Sequence, residues 1–390
     1  FRTFAVDGAA LATVGGDESV QIASATTAAV ANALNDREDC SKLESIVLRN
    51  IPADISVKQV LVAFQKKQTA GVTQLDLSGC KLDSCVESLK AVLCIRRFTR
   101  IALARCKFKC KTLCEVLNAI KNGQAAHTLR TLDISGNCLR DRTNSALDTL
   151  NTLIRDAPEL RVLRIGDCGA VLADLDAISE HTHLTELDIA GAKLTADDVK
   201  VLHNLFKLQS GEYPTPAPAP ASAPAEARNV TGLSRCVGAT VKHFTGADTA
   251  AAVLESTGGA DTMQDVDVQK SLTEQDGNTK KAHERATLHV LGLNRCKGAD
   301  TKILTGVITA FLHSIGTGTG AECARLSLCG TMLPVGENED IFEASKEPHS
   351  VPLTLVLDTA SFIPSMLPKL LNSLKDSSLE VLHLTQCSSS

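Results

Sequence analysis

The sequence predicts an α/β solenoid: stacked strand, turn and helix units whose short strands form a curved parallel sheet on the concave side and whose helices form the convex side. Three observations predict it. One apolar pattern recurs, as in Val72-x-x-Leu75-x-Leu77-x-x-Cys80-x-Leu82 and Leu129-x-x-Leu132-x-Ile134-x-x-Asn137-x-Leu139. Its last strand position returns at Leu48, Leu77, Leu103, Ile134, Ile165, Ile189, Leu233, Leu293, Leu328, Leu357 and Leu384, mostly in steps of 24 to 35 residues, with two longer steps of 44 and 60. Between these positions the apolar period changes from 2 to 3.6 residues, the change from strand to helix. One such unit cannot bury its strand face and helix stripe alone, whereas stacking merges the units into a continuous core.

The elements follow in order. Leu43, Ile46, Leu48 and Ile51 form an early strand; Phe98, Ile101, Leu103, Cys106 and Phe108 repeat the pattern, as do Leu160, Leu163, Ile165 and Cys168, and then Leu184, Leu187, Ile189 and Leu194. Looser copies run through Leu288, Leu291, Leu293 and Cys296, Leu326 with Leu328, Leu355 with Leu357, and Leu379, Leu382, Leu384 and Cys387. Helical stripes are expected from Val86, Leu89 and Leu93; Leu113, Val116, Leu117 and Ile120; Leu147, Leu150, Leu153 and Ile154; Val199, Leu202, Leu205 and Phe206; Ile303, Leu304, Val307 and Phe311; and Leu367, Leu370, Leu371 and Leu374.

These motifs resemble the leucine-rich repeat family, in particular its longer, helix-containing subtype typified by ribonuclease inhibitor. The resemblance covers residues 40 to 208 closely and 228 to 387 more loosely. It implies an Asn or Cys three residues after each marker to satisfy the backbone of the turn. Cys80, Cys106, Cys168, Cys236, Cys296 and Cys387 stand there, with Asn137 in another unit. Repeated buried thiols of this kind are structural and fit a reducing compartment, so an intracellular chain is expected, cytoplasmic or cytoskeleton-associated. Cys106, Cys110 and Cys114 lack the paired spacing or neighbouring His that zinc requires, and no metal or other cofactor is expected.

The expected organisation is a cap or degenerate repeat over residues 1–40, where the apolar pair Val20 and Ile22 precedes an Ala-rich helical stretch to Leu34. A first array of repeats follows over 41–210, then a Pro- and Ala-rich linker or loop over 211–227, and a second array over 228–390 with a polar insertion at about 258–285. Gly232-Leu-Ser-Arg-Cys-Val-Gly-Ala and Gly292-Leu-Asn-Arg-Cys-Lys-Gly-Ala are near copies. The chain opens on Phe1 rather than Met, which reads as a fragment or processed form. Its last unit ends in three Ser with no cap for the strand edge. The expectation is that the native chain continues, or that this end docks on a partner.

Composition narrows function. Across 390 residues, 40 Lys and Arg meet 45 Asp and Glu for a net charge of −5, and with no Trp and a single Tyr there is little to stack on bases, so nucleic acid is disfavoured. No stretch is apolar enough for membrane insertion. There is no phosphate-binding loop, dinucleotide fingerprint, HExxH or GxSxG, so the chain reads as non-catalytic. His181 and His183 read as one buried and one exposed residue rather than metal ligands. Asp133 and Asp188 sit in non-adjacent units, with nothing in the sequence to raise their proton affinity.

Function is therefore expected on the sheet face, at residues flanking the buried leucines: Arg49, Gln74, Asp76, Arg100, Thr131, Asp133, Arg164, Glu186 and Asp188. Their mixed charges suit a protein partner. The leading reading is a protein-interaction scaffold. Alternatives are a structural component of a cytoskeletal or ciliary assembly, and a small-GTPase regulator of the Ran-activating type.

Overall fold

The structure, a computed structural model, describes residues 2–11, 21–22, 25–29, 31–32, 42–51, 54–65, 71–141, 143, 145–170, 172–210, 288–298, 301–317, 323–331, 352–358 and 379–385. All lie in one compact unit, Phe1–Thr215 with Glu284–Ser390; a second unit, Pro216–His283, falls outside the described residues.

The recurring apolar motif folds into strands β1 (Thr3–Asp7), β2 (Ser45–Arg49), β3 (Gln74–Asp76), β4 (Arg100–Ala102), β5 (Thr131–Asp133), β6 (Val162–Arg164) and β7 (Glu186–Asp188). A two-residue β8 (Lys193–Leu194) pairs with β10 (Lys297–Gly298), apart from the main sheet. Beyond residue 287 come β9 (Val290–Gly292), β11 (Ala324–Ser327), β12 (Leu353–Asp358) and β13 (Leu379–Thr385). Eleven of these form a single open sheet in chain order from β1 to β13, each pair parallel. Helices α1 (Asp54–Phe64), α2 (Val86–Ile95), α3 (Cys110–Asn122), α4 (Ser145–Asp156), α5 (Ala196–Ser210) and α6 (Thr301–Thr317) return the chain along the other wall. Strands pack about 4.8 Å apart and helices about 8–10 Å apart, so a stack of such units bends toward its sheet.

The markers Leu48, Leu77, Leu103, Ile134, Ile165, Ile189, Leu293, Leu328 and Leu357 are all buried, together with Leu89 and Leu93 of α2, Leu113, Val116, Leu117 and Ile120 of α3, and Leu147, Leu150, Leu153 and Ile154 of α4. In the shortest step, from Ile165 to Ile189, there is no room for a full helix. Two 3₁₀ turns, Leu172–Asp174 and Asp176–Glu180, replace it. Asp198 binds these turns to the next unit: its side chain accepts from Ala173 N (2.8 Å), Thr195 N (2.7 Å) and Thr195 Oγ1 (2.7 Å), while Thr195 Oγ1 accepts from Asp198 N, a capping box at the start of α5.

Two features go beyond the sequence reading. The first strand is Thr3–Asp7, whereas Gln21 and Ile22 are helical and Ile22 is exposed. The alternation of Phe4 and Val6 is too short to stand out by periodicity, but β2 beside it supplies a full register from Thr3↔Ser45 to Asp7↔Arg49. Second, the strands on either side of the stretch read as a linker or loop, β7 and β9, are neighbours in one sheet. β7 pairs directly with β9, Leu187 opposite Leu291. The motif at Leu233 and Cys236, the polar insertion at 258–285, the stripe from Leu367 to Leu374, and Cys387 lie outside the described residues.

One side chain bonds to the backbone on both sides of the join. Gln209, 5% exposed near the end of α5, donates through Nε2 to Leu184 O (2.8 Å), and its Oε1 accepts from Leu288 N (2.7 Å). Phe206 of α5 meets Phe311 of α6 with ring centroids 6.1 Å apart. Gln209→Ala, which leaves buried backbone groups unpaired on both sides of the join, is expected to cost about 1–3 kcal/mol in urea unfolding. Replacing residues 212–286 by a short Gly-Ser bridge is expected to keep a single cooperative transition.

Candidate functional site

The parallel register lines side chains into columns across the outer face of the sheet. One column runs Ser45, Gln74, Arg100, Thr131, Val162, Glu186 and Val290; the next runs Val47, Asp76, Ala102, Asp133, Arg164, Asp188 and Gly292. The intervening Ile46, Leu75, Ile101, Leu132, Leu163, Leu187 and Leu291 point into the core and are fully buried.

The charged members are largely paired with one another. Arg49 donates through Nη2 to Asp76 Oδ2 at 2.6 Å and through Nε at 2.9 Å, and Asp76 is only 3% exposed beneath it. Arg164 donates through Nε to Glu186 Oε1 at 2.6 Å and lies 4.0 Å from Asp133 Oδ2. The aspartates also brace their own turns. Asp76 Oδ1 accepts from Ser78 N (3.0 Å), Asp133 Oδ1 from Ser135 N (3.0 Å) and Asp188 Oδ1 from Ala190 N (2.9 Å), three Asx-type turns at one register position. Of the nine residues expected on this face, Gln74, Arg100 and Thr131 make no side-chain hydrogen bond or ion pair with the described residues. Burial, with the nearby charge of Asp133, raises the Asp188 pKa above its ordinary value of 3.8. Asp133 and Asp188 are thus electrostatically coupled, although Arg164 stands between their strands.

Behind the face, the position three residues after each marker forms a donor ladder. Cys80 Sγ donates to Leu48 O (3.1 Å), Cys106 to Leu77 O (3.2 Å), Asn137 Nδ2 to Leu103 O (2.8 Å), Cys168 to Ile134 O (3.1 Å), Cys296 to Ile189 O (3.3 Å) and Thr331 Oγ1 to Leu293 O (2.5 Å). Each bond joins one unit to the marker carbonyl of the unit before. Burial pushes the thiols of Cys80, Cys168 and Cys296 up to about 12 and that of Cys106 upward too, so these sulfurs act as weak donors rather than nucleophiles. Cys110 and Cys114 donate elsewhere, to Leu139 O and Ser145 O, and no group of three or more His, Cys, Asp or Glu among the described residues is placed to hold a metal ion. His181, 8% exposed, directs Nε2 at Ala157 O (3.1 Å) while Nδ1 accepts from His183 N (3.4 Å), which fixes a neutral ring.

Sequence reasoning did not single out the position two residues after the marker. It reads Asn50, Gly79, Arg105, Gly136, Asp167, Gly191, Arg295 and Gly330, all with φ between +53° and +75°. Larger residues alternate with glycine because each large side chain lies over the glycine of the next unit. A Cβ on Gly136 would stand 2.9 Å from Arg105 Cγ, and one on Gly191 would collide with Asp167 Oδ1. Asp167 then accepts from Arg295 Nη2 across Gly191, bridging the join. The alternation was visible in the sequence as glycine at every second unit.

Two segments, residues 125–142 and 180–202, match the family model described as Leucine Rich repeat. The chain carries leucine-rich repeats. Neither match distinguishes the helix-containing subtype. No curated protein matches. Among 52 matching chains of solved structures is an internalin from Listeria monocytogenes, 14% identical, aligned over 44% of this chain and 54% of that one with a TM-score of 0.23. This chain therefore spans about half the length of that internalin, and at that score nothing about function passes between the two. Leucine-rich repeat arrays are protein-interaction scaffolds, typically without catalytic groups. No helix among the described residues is long and apolar enough to cross a membrane.

Two tests follow from this geometry. Two described units lack the ladder donor, with Ile51 and Ala192 where the others have Cys, Asn or Thr; beside Ala192, Ile165, Cys168, Leu172 and Ile189 help line a cavity of about 10 Å³, room for one water. Ala192→Cys is expected to stabilise the fold by about 0.5–1 kcal/mol, and Asn137→Ala, which removes three buried bonds, to cost about 2–4 kcal/mol, both read by urea unfolding. For Asp188 the folded pKa lies above the unfolded one, so its charge opposes folding at neutral pH and ceases to do so as pH falls through the folded value. Asp188→Asn, which keeps the acceptor for Ala190 N, is expected to raise Tm at pH 7 and to match the parent near pH 3.5.

Proposed function

We propose that this scaffold binds a protein partner on the outer face of its sheet, around Gln74, Arg100 and Thr131 and the mixed-charge columns beside them. The observation that carries this reading is the in-register face itself: its side chains stand in columns one strand apart, and charges of both signs are held in fixed positions by pairing with one another. Fixed mixed charge favours specificity toward a complementary protein surface over attraction to a uniform polyion. An intracellular setting is supported by the eleven described cysteines, none of which is in a disulfide.

A photo-crosslinking amino acid at position 100 or 131 tests this. It is expected to capture a partner in the native source, and the same group at Lys58 or Arg97, exposed on the helix side of the unit, is not. Capture from Lys58 and Arg97 alone contradicts the assignment of the face. Because Asp76, Asp133 and Asp188 brace turns, substitutions of these three should be to Asn so that lost binding is not confused with a loosened turn.

A further inference from the structure

We infer that the turns following β3, β4 and β5 form a second docking surface, independent of the sheet face, whose occupant is an acidic segment of a partner protein. Six cations stand exposed, Lys81, Arg105, Lys107, Lys109 and Arg140 there and Lys111 at the start of α3 beside them. None forms an ion pair with a described residue, whereas most other exposed arginines do, as in Arg155 with Asp176, and so do two lysines, Lys90 and Lys200. The acids on the same turns are fewer: Asp83 is exposed, and Asp141 Oδ1 is taken by Thr143 N and Oγ1.

The three turns run side by side. Gly79 N donates to Ala104 O (2.7 Å), Arg105 N to Ser135 O (2.6 Å) and Cys138 N to Phe108 O (3.0 Å), so neighbouring turns stand about 5 Å apart and their cations form one ridge. The middle turn is also strained. Arg105 and Lys107 have φ of 57° and 59°, and among the described residues this is the only turn holding two non-glycine residues in the left-handed region. That conformation costs a side-chain-bearing residue about 1 kcal/mol, and neighbouring units use glycine at the Arg105 position. The Arg105 position alternates large residues with glycine along the whole array, but Lys107 is the only non-glycine residue in the left-handed region outside that position among the described residues, so this cation is kept at a cost to the fold, as at functional sites.

The chemistry of the ridge selects its occupant. The apolar residues between the cations, Leu82, Phe108 and Leu139, are buried, so nothing aromatic is presented for bases to stack on and nothing apolar for insertion into a bilayer. An acidic peptide segment needs neither. It gains from several unpaired cations at fixed spacing, an attraction that falls with salt.

The test uses the full chain, a labelled poly-glutamate peptide as probe and fluorescence anisotropy at low and physiological salt. The double variant Arg105→Gly, Lys107→Gly removes two charges and relieves the strain. It is expected to weaken probe binding roughly fivefold to tenfold while its Tm equals or exceeds the parent's. The control Lys58→Gln, Arg97→Gln removes two charges elsewhere and is expected to bind like the parent. The proposal is overturned if the glycine variant binds as the parent does, or if the control loses as much. It is equally overturned if a single-stranded oligonucleotide or a phosphatidylserine vesicle binds the ridge more tightly than the peptide.

Discussion

Each unit of this protein leaves backbone groups that only its neighbour can satisfy. A three-residue strand followed by a left-handed turn cannot close its own hydrogen bonds, and an unpaired buried amide or carbonyl costs as much as a lost bond. Here the debt passes from unit to unit: Leu77 N bonds to Ala102 O, Leu103 N to Asp133 O, Ile134 N to Arg164 O, Ile165 N to Asp188 O and Ile189 N to Gly292 O, with the turn amides of Gly79, Arg105, Gly136, Asp167 and Gly191 repeating the pattern one step on. The donor ladder of Cys and Asn does the same for the marker carbonyls. The stability of any unit is therefore inseparable from that of the units beside it.

The surfaces available for recognition follow from this constraint. Backbone closure fixes the register, and the register decides which side chains stand opposite one another. Arg49 reaches Asp76 and Arg164 reaches Glu186 because adjacent units hold them one strand apart. The alternation of glycine with larger residues along the turns has the same origin. At a spacing of about 5 Å, two long side chains in left-handed conformations on successive units would compete for one volume. Arg105 escapes that competition only because Gly136 lies beneath it. Charged groups on the turn edge and on the sheet face are positioned by the same ladder, yet those on the face are mostly neutralised, whereas the cations on the turns after β3, β4 and β5 are not.

How much of this was legible in the sequence depended on the length scale of the signal. Buried leucines at fixed offsets identify the units, and Cys80, Cys106 and Cys168 could be placed because they recur at one offset. The continuation of the sheet from Asp188 to Val290 was not legible, since periodicity says where strands form but not which strands pair, and the pairing is secured by Gln209, an unremarkable polar residue in a helical stripe. The first strand was missed because Thr3–Asp7 alternates over only five residues and borrows its order from β2. On the face, residue type alone distinguished neither a free charge such as Arg100 from a paired one such as Asp76, nor a binding aspartate from one that braces its turn.

The account rests on one array in which β7 pairs directly with β9, and native-state hydrogen exchange tests it most directly. The amides of Ile189 and Gly191, which bond to Gly292 O and Asn294 O, and of Val290, which bonds to Thr185 O, are predicted to open with the same free energy as those of Leu103 and Ile134 in the middle of the array. Free exchange at Ile189, Gly191 and Val290 while Leu103 and Ile134 remain protected would contradict it.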